Sequence, residues 1–327
     1  MAEQRRPKAV SGPHMSGEAP QALGSIATGV RAGDDVTAVQ VAGRIIRTRL
    51  ESVWTALRAA SDGQADADCV HRLRVATRRA IASLDAFEGL APAGDSRWFR
   101  RRLRRVRRAA GAARDLDVLA NRIDQDAGRE PASTARRRLK AMLARQRPAA
   151  REPVVDVREH LVAADWTGRM ERLLARLARC RDQEAFRSYG RRRLKGLIRR
   201  FFEHVRPRIR DAEEIHRLRI EGKRLRYALE IFSPVLPSRG RVKCQKALET
   251  LQDNLGTFTD HVAAAERLRR WSEHRAAAAD RGILTSIRKT ESGEAERARR
   301  VFLKWWTRSR RRELERCFRR TLRKGSA

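Results

Sequence analysis

Apolar and polar residues recur with a helical period along most of this chain. Val41, Ile45 and Trp54 belong to a series of apolar positions spaced mostly by three, four or seven residues. Asp34 and Asp35 precede this series and can cap a helix that runs to about residue 60. The same pattern predicts helices at about 68–90, 96–123, 133–147, 154–180, 184–206, 211–233, 240–274 and 293–323. Sustained β-branched alternation is missing, so the sequence predicts an all-α fold.

Composition and length suggest how these helices are organised. Residues 1–33 are rich in Gly, Pro, Ser and Ala and predict a disordered N-terminal tail. Pro148 and Pro153 separate two predicted helices, so we expect the chain to leave the helical conformation there. The 327 residues exceed the roughly 250–300 at which a single core stops growing. We therefore predict a helical domain over 34–324 with two halves, 34–150 and 151–324.

An internal repeat relates the two halves. His71-Arg72-Leu73-Arg74-Val75 returns as His216-Arg217-Leu218-Arg219-Ile220, 145 residues later. The same offset relates further pairs without a gap: Arg78 and Lys223, Leu84 and Leu229, Phe87 and Phe232, Leu103 and Leu248, Gly111 and Gly256, and Asp115 and Asp260. Agreement in one register over about 45 residues indicates a duplication. It predicts two similar helical bundles related by a pseudo-two-fold axis.

The repeated helices carry a basic stripe opposite an apolar stripe. On a wheel of 100° per residue, His216, Arg219, Lys223 and Arg226 fall on one face, as do His71, Arg74 and Arg78 in the first copy. The next helix aligns Arg97, Arg101, Arg104 and Arg108 opposite Phe99, Leu103, Val106, Ala110 and Ala113. In the second copy Glu249 and Asp253 replace Arg104 and Arg108. We therefore expect the two halves to differ as anion binders.

Charge makes these stripes candidates for binding rather than for solvation alone. Lysine and arginine total 75 against 40 acidic residues, which leaves a formal net charge of +35. Nine of the bases are lysines, so arginine dominates. The stripes contain few acids at the i±4 positions where ion pairs normally form. Candidate partners are nucleic acid, polyphosphate, an anionic membrane face or an acidic protein.

Several other classes are not supported by the sequence. No run of 18 apolar residues predicts a transmembrane helix, and no apolar N-terminal segment predicts a secretory signal. The four cysteines lie far apart, which favours structural or incidental thiols in a reducing cytoplasm over a zinc site or a disulfide framework. Neither a Gly-x-x-x-x-Gly-Lys loop nor a carboxylate cluster is present, so we expect no catalysis, metal or cofactor. The segment Lys304-Trp305-Trp306 suits packing within a bundle better than contact with a membrane.

These motifs resemble the CHAD family, the conserved histidine α-helical domain proteins. The resemblance rests on residues 71–79 and 113–118 and their counterparts 216–227 and 251–256, and it extends over roughly 34–324. It implies two four-helix bundles around a basic central channel, and binding of inorganic polyphosphate on granules in bacteria and archaea. Carried over by position, the channel contacts are His71, Arg74, Arg78, Arg79, His216, Arg219, Lys223, Arg224 and Arg226. Tyr227 is expected to pack beside them.

Polyphosphate is therefore the predicted partner, with Arg101, Arg104 and Arg108 added from the basic stripe. Arginine presents a planar fork to phosphate oxygens and remains charged. The alternative is a protein that binds the phosphate backbone of nucleic acid non-specifically, above all at low salt. The basic stripes lack interleaved aromatic residues on which single-stranded bases could stack.

Overall fold

A computed structural model describes residues 36–62, 67–126, 134–205, 208–209, 211–273 and 281–324. The predicted tail, 1–33, lies outside the described residues. Within them the structure is all-α, with ten α-helices and one 3-10 turn, Ser233–Val235. The helices are α1 Ala38–Ala60, α2 Ala67–Ala86, α3 Ala93–Asp126, α4 Thr134–Ala163, α5 Trp166–Ala178, α6 Phe186–His204, α7 Ala212–Phe232, α8 Ser238–Ser272, α9 Arg281–Trp305 and α10 Arg308–Lys324.

The helix order follows the sequence repeat. Helices α2 and α7 begin at Ala67 and Ala212, and helices α3 and α8 begin at Ala93 and Ser238, so both pairs are offset by the same 145 residues. Helix α2 packs against α7, and α3 packs against α8. The four helices that carry the repeated motifs are therefore neighbours in space. The duplication itself, the two-fold axis and the division at residue 150, which α4 crosses without a break, stay predictions.

Aromatic side chains join the two halves in the core. Phe87 and Phe232 occupy equivalent positions in the repeat, and their rings meet edge to face with centroids 5.7 Å apart. Both are fully buried, and Phe186 and Tyr189 of α6 pack around them. Edge-to-face contacts of this kind add about 0.5–1.5 kcal/mol to the burial of the rings. The apolar stripes predicted from the sequence therefore meet in a shared core.

The two prolines do not end a helix, contrary to the sequence prediction. Helix α4 is continuous from Thr134 to Ala163 and contains Pro148 and Pro153. A proline inside a helix costs about 3 kcal/mol, which packing can offset. Val154 and Val157, which follow the prolines, are buried in the core, and α4 lies along α3. Tertiary packing here outweighs the local preference of proline.

The predicted helix 154–180 is broken instead at Asp165, which has a left-handed backbone with φ of 52°. Its carboxylate accepts a hydrogen bond from the backbone N–H of Gly168 at 3.0 Å and so caps α5. A Cβ atom at residue 168 would lie 2.3 Å from this carboxylate, so glycine allows the close approach. The break therefore comes from a local capping motif in a segment without proline.

The predicted C-terminal helix, 293–323, is also two helices. Helix α9 ends at Trp305, and the hydroxyl of Thr307 accepts a hydrogen bond from the backbone N–H of Arg310 at 3.2 Å near the start of α10. Trp306 between them is 5% exposed and stacks on Phe302, in agreement with the predicted packing role. None of the described helices is long and apolar enough to cross a membrane.

Candidate anion-binding site

Four arginines of the first half converge between α2 and α3. We call Arg74, Arg78, Arg107 and Arg114 the first-half arginine cluster. The Arg74 guanidinium donates from Nη1 to the carbonyl oxygen of Arg107 at 2.9 Å, and Arg78 donates from Nε to the carbonyl oxygen of Arg74 at 3.3 Å. These bonds hold the two α2 side chains along the helices, so their positions are set before any ligand arrives.

The charges of this cluster are in unfavourable surroundings. Burial, followed by the neighbouring Arg78, lowers the pKa of Arg74 to about 10. Partial desolvation also lowers the pKa of the half-buried Arg114 and, less deeply placed, of Arg107, whose side chain is exposed at the surface; Arg78 contributes to both. A base whose folded pKa lies below its unfolded value destabilises the fold while it is protonated, and this cost is relieved only as the pH rises through the folded pKa. At neutral pH the guanidiniums therefore remain charged, and a bound anion would relieve their repulsion.

Three aspartates supply nearby negative charge: Asp117 lies close to Arg114, and Asp115 and Asp260 occupy equivalent positions of the repeat. Asp260 accepts from Nη2 of Arg219 at 3.2 Å, across α7 and α8. Asp115 lies near Arg74 but accepts its short hydrogen bond, 2.6 Å, from Nε of Arg267 on α8. The first-half carboxylate is thus shared with a base of the other half. It connects α3 to α8 and leaves the first-half arginine cluster with a net excess of positive charge.

The second half has neutral side chains where the first has charged ones. Gln252 and Thr259 occupy the positions equivalent to Arg107 and Arg114. Gln252 is 8% exposed, and a Cβ atom at Gly222 would lie 2.3 Å from its Nε2 atom. Lys223, the counterpart of Arg78, is half-buried. The asymmetry predicted from Glu249 and Asp253 therefore extends into the interior of the helix pair.

Other predicted contacts of the second half lie at its surface or beside tyrosine. Arg224 is exposed and forms an ion pair with Glu221 at 2.6 Å. The Arg226 guanidinium lies 5.2 Å from the ring centroid of Tyr227, which is itself buried as expected. His216 is exposed, whereas its counterpart His71 is half-buried. These residues surround the α7 end of the site, and a role for each in binding stays a prediction.

Arg79 takes part in a buried ion-pair network. The carboxylate of Glu230 on α7 lies 2.6 Å from Nη2 of Arg49 on α1 and 3.4 Å from Nε of Arg79 on α2. The side chains of Arg49 and Glu230 are 9% and 7% exposed. Such a network ties three helices and both halves together. Its geometry gives Arg79 a part in the packing as well as its predicted place beside the site.

The three arginines predicted from the α3 stripe are exposed: Arg101, Arg104 and Arg108. Arg104 and Arg108 are close enough to Arg107 to contribute to its lowered pKa. They extend the positive surface outward from the first-half arginine cluster. Among the described residues, no group of three or more His, Cys, Asp or Glu side chains could hold a metal ion.

The sequence prediction left Arg107 and Arg114 out of the site. A signal for them is present, because Arg100, Arg107 and Arg114 recur at intervals of seven residues and so share one helix face. Arg267 was also missed. Its partner Asp115 is 152 residues away in the chain, and no local pattern relates the two.

Comparison with known proteins agrees with this architecture. The CHAD domain family model matches residues 44–269, which include nearly all of the four helices around the site. The chain belongs to the CHAD family. Polyphosphate binding is a general property of that family. Helices α9 and α10 lie beyond the matched region.

Solved structures resemble this CHAD chain over most of its length. The crystal structure of the CHAD domain from the plant Ricinus communis is 26% identical, with a TM-score of 0.63, and the match covers 84% of this chain and 93% of that chain. PptA from Streptomyces chartreusis is 18% identical, with a TM-score of 0.52, and the match covers 83% of this chain and 99% of that chain. The second likeness supports the fold alone. Among curated proteins, no relative matches this chain.

Proposed function

We propose that this CHAD protein binds inorganic polyphosphate, with the first-half arginine cluster as its principal contact. The observation that carries the proposal is the close grouping of four guanidiniums beside Asp115, whose carboxylate is already bonded to Arg267. Phosphate oxygens can accept the N–H groups of these guanidiniums in bidentate pairs. Each charge-assisted hydrogen bond contributes about 1.5–3 kcal/mol before other costs.

The chemistry of the site favours polyphosphate over nucleic acid. Polyphosphate has no bases, so a binder needs closely spaced cations and no surface that reads base edges. Tyr227, the aromatic residue within the repeated motif, is 6% exposed and offers no open ring face for base stacking. Net charge still supports non-specific contact with DNA or RNA at low salt, and the experiment below distinguishes the two.

We further propose that the protein accompanies polyphosphate granules and binds the polymer without transforming it. Support for granule association comes from the family resemblance. Support for a binding role comes from the composition of the site, in which cations outnumber carboxylates and both Asp115 and Asp260 are already bonded to arginines. A labelled copy of the protein is expected to co-localise with polyphosphate granules in cells, and diffuse labelling in granule-containing cells would contradict this part of the proposal.

A competition experiment tests the binding proposal. Labelled long-chain polyphosphate is bound at about 0.15 M salt, where weak exposed contacts are screened, and is then displaced with unlabelled polyphosphate or duplex DNA. We expect half-displacement of the label to require at least tenfold less unlabelled polyphosphate than duplex DNA, when both concentrations are expressed per phosphate group. Equal competition by DNA would favour the nucleic-acid alternative.

Two variants with the same change in charge locate the site. The first replaces Arg74, Arg78, Arg219 and Lys223 with glutamine. The matched control replaces four exposed arginines of α10 with glutamine: Arg308, Arg312, Arg316 and Arg320. We expect the first variant to lose affinity for polyphosphate by more than a hundredfold, and the control by less than about fivefold. Equal losses would mean that overall charge, rather than this site, binds the polymer.

A further inference from the structure

Two cysteines that are distant in sequence meet between α8 and α10. The sulfur atoms of Cys244 and Cys317 are 3.7 Å apart, and both residues are reduced. Cys244 is fully buried, whereas Cys317 is half-buried. Because 73 residues separate them in the chain, their spacing in the sequence does not indicate this pair.

The two helices are held close together at this point. A Cβ atom at Gly240 of α8 would lie 2.6 Å from Cγ2 of Thr321 on α10, so glycine permits the approach. The Thr321 hydroxyl donates to the carbonyl oxygen of Cys317 at 2.9 Å and accepts from the Cys244 thiol at 3.4 Å. A disulfide needs sulfur atoms about 2.05 Å apart. The two sulfur atoms must therefore move about 1.65 Å closer together for the bond to form.

We propose that Cys244 and Cys317 are a redox modification site. A peroxide-class oxidant converts the two thiols to a disulfide, which fixes α10 to α8. Polyphosphate binding plays no part in this reaction. The crosslink joins α8, which contributes Asp260 and Arg267 to the candidate anion-binding site, to a helix beyond the region matched by the family model.

The exposure of the two thiols gives the order of the steps. Burial raises the pKa of Cys244 to about 12, so it remains a thiol at neutral pH. The half-buried Cys317 reacts first: its sulfur attacks one peroxide oxygen, the O–O bond breaks, and a sulfenic acid and water form. The Cys244 sulfur then attacks the Cys317 sulfur. The S–O bond breaks, and hydroxide leaves with the Cys244 proton as a second water. The two thiols are oxidised by two electrons and the peroxide is reduced to water.

A contact that lies one repeat offset earlier in the chain is built differently. Asp95 and Arg176 lie 145 residues before Gly240 and Thr321 in the chain, and they join α3 to α5 by an ion pair of 3.1 Å. An exposed ion pair weakens as salt increases, whereas a disulfide does not. In the oxidised protein, the α8–α10 contact would therefore remain fixed at high salt, whereas the ion pair between Asp95 and Arg176 becomes weaker.

The test uses the full chain with Cys69→Ser and Cys180→Ser, which leaves only the proposed pair. The folded protein is treated with hydrogen peroxide and its thiols are counted, and its peptides are mapped without reduction. We expect both thiols to disappear, a Cys244–Cys317 linked peptide to appear, and the melting temperature to rise by up to about 7 °C for a closed loop of this length. Dithiothreitol is expected to reverse all three changes.

A third substitution, Cys317→Ser, is the matched control. It is expected to abolish both the linked peptide and the rise in melting temperature. The proposal is overturned if peroxide converts Cys317 to a sulfinic acid without forming the linked peptide, or if linkage is as rapid in urea as in the folded protein. The peptide map of the unaltered chain gives the same answer should a serine variant fold poorly, since it distinguishes a Cys244–Cys317 link from one that involves Cys69 or Cys180.

Discussion

The two halves of the candidate site use the same helices but balance their charges differently. In the first half, Arg74, Arg78, Arg107 and Arg114 outnumber the aspartates near them, and one of these aspartates, Asp115, is bonded to a base of the other half. In the second half Arg219 has its own partner in Asp260, and uncharged Gln252 and Thr259 replace two of the arginines. The arginines of the first half therefore repel one another, and the charges at the equivalent positions of the second half are closer to balanced.

This difference in charge balance assigns ligand affinity mainly to the first half and stability of the unliganded fold mainly to the second. Like charges that are partly buried lower the stability of the unliganded fold, and a polyanion can recover that free energy on binding. The second half, in which Arg219 is paired with Asp260, contributes more to the stability of the fold than to affinity for polyphosphate. Equivalent positions of the repeat, 145 residues apart, allow this division to be tested by paired substitutions.

The largest expected effect concerns stability. Glu230→Gln removes the carboxylate that Arg49 and Arg79 share in the interior, and we expect the free energy of unfolding to fall by about 3–5 kcal/mol because buried charges lose their partner. Asp85→Asn, at the equivalent position, breaks an ion pair whose aspartate is 54% exposed, and about 1 kcal/mol or less is expected. Urea unfolding of both variants measures the difference. Equal losses would mean that the Glu230 network does not join the halves.

The next effect concerns affinity. Arg78→Gln and Lys223→Gln each remove one positive charge at equivalent positions of α2 and α7. We expect the first to weaken polyphosphate binding by about 10- to 100-fold and the second by about 3- to 10-fold, since Arg78 belongs to the denser group of cations. Titration of both variants at one salt concentration compares them. A larger loss for Lys223→Gln would reverse the proposed division between the halves.

The smallest expected effect is a change in polyphosphate affinity that has opposite signs in the two halves. Arg108 and Asp253 occupy equivalent exposed positions on α3 and α8. Arg108→Gln is expected to weaken polyphosphate binding about threefold, and Asp253→Asn to strengthen it by a similar factor, through long-range electrostatics. Both changes should diminish at high salt. Effects of the same sign would show that these positions lie outside the electrostatic field that the ligand experiences.

Much of the fold could be predicted because helical periodicity is a local property. The starts of α2 and α7 follow the repeat, and the apolar stripe from Phe99 to Ala113 is buried as expected. The helix ends were less predictable. Pro148 and Pro153 favour a break that packing against α3 overrides, and the actual break at Asp165 depends on a left-handed residue and its cap.

The sequence by itself determined that the chain is helical, repeated and basic, and which helix faces carry the charge, because these properties depend on residues three to seven apart. Only the tertiary structure decided which charges are compensated. Asp115 with Arg267, Glu230 with Arg49 and Cys244 with Cys317 are pairs whose members are 152, 181 and 73 residues apart. Helix packing brings these partners together, and burial makes the attraction between Arg49 and Glu230 stronger than it would be in water.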